Sequence, residues 1–309
     1  MPEPLRIGTR GSALALVQAE LVTKSLAANW AGEARPLEVK IIKTTGDRIT
    51  DRPLSDVGGK AFFTKEIDQA LLAGEIDCAV HSMKDMESAL APGLAVGAVL
   101  PRSDPRDCLI GAADLSPARL PSGARVGTSA VRRRAQLLAR RPDLEIVPLR
   151  GNVDTRLQKR ERGEVDALVL SKAGLDRLGR TAVISHIFAP AEFLPAAAQG
   201  IIAVLIREAD RTVRALLQRI NDRQTALAAT AERALLLELG GDCGTPIAAH
   251  AEIFGERLLL EGALFSLDGA ECVRERIEGL AFAGDELGKR LAERVKARAS
   301  SALRAYLRS

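Results

Sequence analysis

Short apolar runs of strand length alternate with amphipathic stretches of helix length through most of the chain, and two proline-marked crossings interrupt the rhythm. Such a β-α-β alternation confines the fold to sheets covered by helices. Leu5-Arg6-Ile7-Gly8 reads as the first strand, and Ser12 can cap a helix over 13–28. Strands at 39–42, 76–80 and 94–100 and a helix at 64–73 complete one unit. Pro101-Arg102-Ser103-Asp104-Pro105 is a polar crossing and a candidate hinge. A second unit follows, with strands at 107–110, 125–127, 145–149 and 167–170 and helices at 129–140, 153–161 and 172–178. Pro190 and Pro195 bracket a further crossing and second candidate hinge, after which the apolar run 201–206 and a helix at 210–220 are assigned back to the first unit. The remainder differs in character: a helix at 222–239, strands at 247–252, 258–264 and 272–277, and a helix at 285–306. The expected fold is α/β: two α/β domains (1–101 with 201–219, and 104–196) plus a small C-terminal α+β domain at 222–309.

At 309 residues the chain is long enough for two or three cores. Its formal net charge is only +4, yet arginine outnumbers lysine 34 to 10, and arginine is the residue suited to gripping carboxylates or phosphates with two hydrogen bonds. Cys78, Cys108, Cys243 and Cys272 have no close sequence pairing, and the three histidines have no metal-ligand spacing, so neither a disulfide framework nor a metal site is expected. No charged-then-apolar leader precedes Leu5 and no apolar run reaches membrane-spanning length, which leads us to expect a soluble, cytoplasmic protein with no membrane partner. Arg132-Arg133-Arg134 could suit a nucleic acid, but aromatics are only 3% of residues, too few for base stacking, so no nucleic-acid partner is expected.

The segment Gly240-Gly241-Asp242-Cys243-Gly244-Thr245-Pro246 sets a thiol on a glycine-bounded turn, a placement that suits a nucleophile offered to a ligand. A lone cysteine is more often a small buried hydrophobe. The arginines near turns and helix starts tip the balance: Arg10, Arg132, Arg133, Arg150, Arg156 and Arg177 form a constellation for many carboxylates. Gly8-Thr9-Arg10-Gly11-Ser12, Gly127-Thr128-Ser129 and Arg150-Gly151-Asn152 each lead into a helix, where free amides and hydroxyls can receive an anion. Ordinary capping explains any one of these, but three together point to one multi-anionic ligand. His81-Ser82-Met83-Lys84-Asp85 follows a strand, so Lys84 and Asp85 stand where ligands bind in parallel sheets. A single Asp among such cations can hydrogen-bond a reacting N–H and stabilise developing positive charge. The glycine-rich stretch 51–60 has the length of a mobile flap.

These motifs, together with Val57-Gly58-Gly59-Lys60, Leu149 to Leu157, Ala173-Gly174-Leu175 and Gly241 to Ile247, resemble the hydroxymethylbilane synthase (porphobilinogen deaminase) family over nearly the whole chain. The resemblance implies two domains like those of periplasmic binding proteins, a third domain carrying the cofactor cysteine, and a monomer. It implies a dipyrromethane cofactor linked by a thioether to Cys243. The implied reaction joins four porphobilinogen units head to tail with loss of ammonia and releases hydroxymethylbilane. Carried over by motif, Asp85 is catalytic and touches pyrrole N–H groups. Lys84, Thr128, Ser129, Arg132, Arg133 and Arg156 hold the cofactor, while Arg10, Ser12, Phe63, Arg150, Arg156 and Arg177 hold substrate. The chain departs from the family pattern at Ala61, at Met86-Glu87-Ser88, at Ala130, and at Ala198, where a glycine is usual before Gln199. The alternative reading is a non-catalytic two-domain solute-binding protein for a polycarboxylate.

Overall fold

The computed structural model describes residues 3–30, 35–48, 62–241 and 244–307. The flap stretch 51–60, Ala61 and Cys243 lie outside the described residues. Thirteen strands are described: β1 (Leu5–Thr9), β2 (Leu37–Ile41), β3 (Cys78–Ser82), β4 (Leu94–Val99), β5 (Asp107–Ile110), β6 (Arg125–Gly127), β7 (Glu145–Val147), β8 (Ala167–Ser171), β9 (Ile184–Ile187), β10 (Ile202–Arg207), β11 (Ile247–Phe254), β12 (Arg257–Phe265) and β13 (Cys272–Leu280). The chain divides into two compact units, residues 1–103 with 201–226, and residues 104–200 with 227–309.

The first unit holds a five-stranded sheet in the order β2-β1-β3-β10-β4. β1 runs parallel to β2 and β3, whereas β10 is antiparallel to both β3 and β4. β3 and β10 read as nearly unbroken apolar runs because both their faces are covered, and Cys78, Val80, Ile202, Val204 and Ile206 join Leu5, Ile7 and Val22 in one core. Helix Ala13–Ala28 covers one face, begun by Ser12, whose hydroxyl accepts the Ala15 amide.

The second unit contains two sheets. The larger has the order β7-β6-β8-β5-β9, with β6 parallel to β7 and β8 and β5 antiparallel to β8 and β9. Its two faces bury separate clusters, one around Val126, Val169 and Phe193 and the other around Ile110, Leu168 and Leu175. The smaller is the antiparallel meander β11-β12-β13, packed on helices Arg223–Glu238 and Gly284–Arg298. The two sheets belong to one unit because Ala248, Ala263 and Phe265 bury against Ala135 and Leu194. Gly269 is a point of close approach: its φ is +73°, and a Cβ there would lie 2.4 Å from the Ala135 carbonyl oxygen and the Ala139 nitrogen.

Three local expectations change. β9 escapes the sequence pattern because Ile-Ser-His-Ile is a short edge strand with no buried residue to mark its inner face. The last helix stops at Arg298; Ala299 is extended, and Ser300 caps a separate turn by accepting the Leu303 amide. The crossing at 190–195 is no free hinge, since it is pinned inside the second unit. Arg274 donates to the carbonyls of Pro190 and Ala191, Gln136 bonds both polar groups of the Leu194 backbone, and Phe193 and Leu194 are fully buried. A unit boundary falls beyond it, after Gly200; the others lie within the crossing at 101–105 and after Ala226.

Candidate functional site

In the first unit β3 runs into a single turn of 3-10 helix, Met83–Asp85. The Met83 amide donates to the Ile201 carbonyl at 3.0 Å and the Met86 amide returns to the Met83 carbonyl at 3.2 Å. Met83 and Met86 point into the core, Lys84 is half-buried and Asp85 is exposed. The turn thus anchors itself on two methionines and delivers the Lys-Asp pair at the end of a strand parallel to β1. Met86, a departure from the family pattern, serves as one anchor. Glu87, the next departure, acts electrostatically on Asp68, whose carboxyl is pushed up to about 6, first by burial and then by that neighbouring negative charge. A hydrogen bond from Thr64 opposes the rise.

Arg10 leaves β1 and forms an ion pair with Asp47, with Nε 3.2 Å and Nη2 2.5 Å from Oδ1, while its guanidinium stacks 4.3 Å from the Phe63 ring centre. Burial would raise the Asp47 pKa, but hydrogen bonds from Arg10 and Thr44 hold it below the usual carboxylate value. Both side chains keep about a quarter of their surface exposed, at 24% and 28%. Ser12 spends its hydroxyl on the helix cap. His81, on β3, is buried, and its Nε2 has no hydrogen-bond partner among the described residues. Burial, aided by the positive charge of Arg10, pushes the His81 pKa down to about 4, so the ring is neutral at pH 7.

In the second unit the site residues cluster where β6 and β8 end and antiparallel β5 begins. Thr128 is buried and its hydroxyl accepts the Ala130 amide at 3.2 Å, while the Ser129 hydroxyl donates to the Leu149 carbonyl at 2.8 Å. Helix Val131–Arg140 starts at Ala130 with no side-chain cap. Arg132 and Arg133, one residue apart, both turn inward onto Asp107: Arg132 Nη2 lies 2.8 Å from Oδ2, and Arg133 Nη2 lies 2.7 Å from Oδ1. Their remaining donors reach the Leu194 and Val169 carbonyls. Burial lowers the Arg132 pKa and Asp107 opposes that.

Gly151, at φ +114°, turns the chain into helix Val153–Glu161, which Asn152 caps through the Thr155 amide. Arg156 then folds back to donate to the Gly151 carbonyl at 2.9 Å, and Arg150 is half-buried just before the turn. Arg177 donates to the Gly200 carbonyl at 2.6 Å, and burial pushes its pKa down to about 10. Within the unit the structure therefore brings Arg132 and Arg133 together on one carboxylate, while Arg156 and Arg177 are each held by a backbone carbonyl.

Gly240, at φ +65°, closes helix Arg223–Glu238, and the Gly241 amide donates back to the Leu236 carbonyl at 2.9 Å. A Cβ on Gly241 would lie 2.5 Å from Ile247 Cδ1 and 2.6 Å from Leu236 Cδ1, so a larger residue immediately before Asp242-Cys243 would require those two side chains to shift.

Family models match the chain in two pieces: "porphobilinogen deaminase, dipyromethane cofactor binding domain" at residues 5–215 and "porphobilinogen deaminase, C-terminal domain" at residues 226–297. The chain belongs to the porphobilinogen deaminase family. A relative of that name from Paracoccus denitrificans is 50% identical over 97% of this chain and 96% of its own. One from Syntrophotalea carbinolica is 46% identical over 98% and 96%. Among solved structures, the BvgS periplasmic VFT2 domain of Bordetella pertussis is similar at TM-score 0.43 and 14% identity, covering 70% of this chain and 86% of that one. Membership makes the chain a transferase of tetrapyrrole biosynthesis that uses a dipyrromethane cofactor and takes porphobilinogen as substrate. The residues fit such a cofactor: a buried arginine pair and an uncapped helix start are what acetate and propionate groups require. No helix among the described residues is long and apolar enough to cross a membrane, and none of their His, Cys, Asp and Glu side chains cluster as a metal site.

Sequence reasoning missed Asp107, Gln199, Asp47 and Gln18. Gln199 donates to Asp107, Asp47 holds Arg10, and buried Gln18 donates to Ser82 Oγ at 2.7 Å beside the Lys-Asp turn. One signal was available: Asp107 opens an otherwise apolar strand, and a carboxylate buried there needs cationic partners.

Proposed function

We propose that the chain polymerises four porphobilinogen molecules head to tail and releases hydroxymethylbilane, with Asp85 as the catalytic carboxylate. At each coupling the substrate's aminomethyl C–N bond breaks with loss of ammonia, a C–C bond forms to the next pyrrole, and that pyrrole carbon gives up its proton. Asp85 accepts pyrrole N–H groups and stabilises the positive charge that develops as ammonia leaves. Its exposure at the end of β3, beside half-buried Lys84, supports that role. Lys84, Thr128, Ser129, Arg132, Arg133 and Arg156 hold the cofactor's acid groups; Arg10, Ser12, Arg150, Arg156 and Arg177 hold those of the substrate, and Phe63 lines the substrate cleft. Charge-assisted contacts of about 1.5–3 kcal/mol each are enough to order several acids at once.

Cys243 bears the cofactor through a thioether, and the bound dipyrromethane supplies the primer on which the product is built. The helix stop at Gly240, at φ +65° and three residues before Cys243, supports an attachment point just past a helix end. We read the chain as three domains, with residues 222–309 carrying the cysteine, and as a cytoplasmic monomer with no nucleic-acid or membrane partner. The observation that carries the reading is the pair of buried arginines sharing a single carboxylate, a site built for anions. Peptide mapping of the active protein tests it. A dipyrromethane adduct is expected on Cys243, and an unmodified Cys243 in active protein would refute the attachment. Intact mass after substoichiometric porphobilinogen should show a ladder of covalent complexes; free short oligomers alone would refute the tethered mechanism.

A further inference from the structure

Asp107 is the first residue of β5, directly after the crossing at 101–106, and it is fully buried. Its carboxylate accepts from Arg132 through Nη2 at 2.8 Å, from Arg133 through Nε at 3.1 Å and Nη2 at 2.7 Å, and from Gln199 through Nε2 at 2.9 Å. The same Gln199 nitrogen donates to the Pro105 carbonyl at 2.7 Å. Asp107 therefore ties the start of the second unit (104–107) to the end of its first segment (199–200). Two guanidinium groups on one carboxylate leave these groups with a net charge of plus one, carried on side chains only 6% exposed. Neither arginine pairs with any other carboxylate among the described residues.

A cluster that served only the fold would be neutral, because surplus buried charge is costly. A surplus of one is what an incoming carboxylate completes, and a surplus of two would leave the unloaded protein strained. We propose that Asp107 is a positioning residue for cofactor loading. It fixes the planes of Arg132 and Arg133 and holds their combined surplus at one charge, so that the acid groups of the dipyrromethane meet a preset pair. Gln199 steers the carboxylate from the other end of the same segment. The proposal rests on the reading above that these arginines hold cofactor acids, and it adds a residue that touches neither substrate nor cofactor.

The test loads full-length cofactor-free protein with porphobilinogen and follows the aldehyde colour reaction and intact mass, in wild type, Asp107→Asn, Asp107→Glu, Gln199→Leu and Arg133→Leu. Asp107→Asn is expected to load about tenfold more slowly, and Asp107→Glu, which keeps the charge, to recover most of that loss. The gap in thermal midpoint between loaded and unloaded protein should widen in Asp107→Asn, because cofactor acids then compensate two cations instead of one. A purely structural residue would lower both midpoints alike. Loading of Asp107→Asn at the wild-type rate with an unchanged gap overturns the proposal. If Asp107→Asn does not fold, Gln199→Leu decides: slowed loading in a folded protein supports the proposal and wild-type loading overturns it. Wild-type loading of Arg133→Leu instead refutes the underlying reading of the arginines.

Discussion

The two five-stranded sheets share one plan and treat charge in opposite ways. In each, a central strand pairs parallel with two neighbours, and an antiparallel strand separates the parallel group from the edge: β2-β1-β3-β10-β4 in one and β7-β6-β8-β5-β9 in the other. The first helix after the central strand is closed by Ser12 in the first unit and left without a side-chain cap in the second. The first unit keeps its candidate charged residues at the surface, with Asp85 exposed and the Arg10–Asp47 pair a quarter exposed. The second drives two arginines and an aspartate into its interior. The same backbone can thus carry a carboxylate at its surface or bury a cluster of charges, depending on where the charged side chains point.

Four measurements can break or sharpen this contrast. The largest effect is expected from Asp85→Asn, which should lower kcat by about 10³-fold, or ~4 kcal/mol of barrier, with an unchanged thermal midpoint because the side chain is exposed. Turnover near wild type would remove Asp85 from the chemistry.

Next, urea unfolding should show Asp107→Asn costing about 3 kcal/mol, since it strands two buried cations. Asp47→Asn in the first unit should cost about 1 kcal/mol, because solvent screens Arg10. Equal losses would mean that burial does not separate the two sheets. The Asp47 contribution has a pH signature: its folded-state pKa is lowered, so its stabilisation is present above about pH 4 and is lost as pH falls further.

Third, the neutral buried His81 should make stability rise with pH between about 4 and about 6.5, because there the unfolded chain binds the extra proton. The effect is of the order of 3 kcal/mol, and His81→Gln should flatten it. Asp68 acts with the opposite sign. Its folded pKa is raised to about 6, so its contribution is present below about pH 4 and falls away as pH rises through 6. Asp68→Asn should therefore steepen the rise, and an unaltered slope in both variants would refute both assignments.

The smallest effect concerns Ala198, which sits at φ +59° with its amide 2.5 Å from the buried Glu232 carboxylate. That backbone favours glycine, the usual residue here in the family, so Ala198→Gly should stabilise by about 0.5–1 kcal/mol in the same unfolding assay. A loss of stability would mean that the Glu232 bond, not the side chain, sets the conformation.

The local setting of several candidate residues was legible before the structure. Asp85 and Lys84 follow a buried strand, and Asn152 and Ser12 cap the helices their positions announce. What stayed hidden depends on pairings that local sequence does not declare. Asp107 meets Arg132 and Arg133 only because β5 inserts antiparallel beside β8, placing residues 25 and 26 apart in contact. Gln199 reaches Asp107 across a separation of 92 residues. The second candidate hinge misled because prolines mark a turn of direction, whereas Gln136 and Arg274, distant in sequence, decide whether that turn is free.

The place of β10 in the first sheet also governs how the molecule can be made. Its partners β3 and β4 emerge during synthesis before the whole of the second sheet, yet they must wait for β10 to close the gap between them. Until then β3 and β4 carry apolar strand edges open to solvent and to other chains. Long-range closure of this kind is slow. The nascent chain therefore passes through a stage in which the second sheet can be complete while the first, begun earlier, is still open, and that stage is when the protein is most exposed to aggregation.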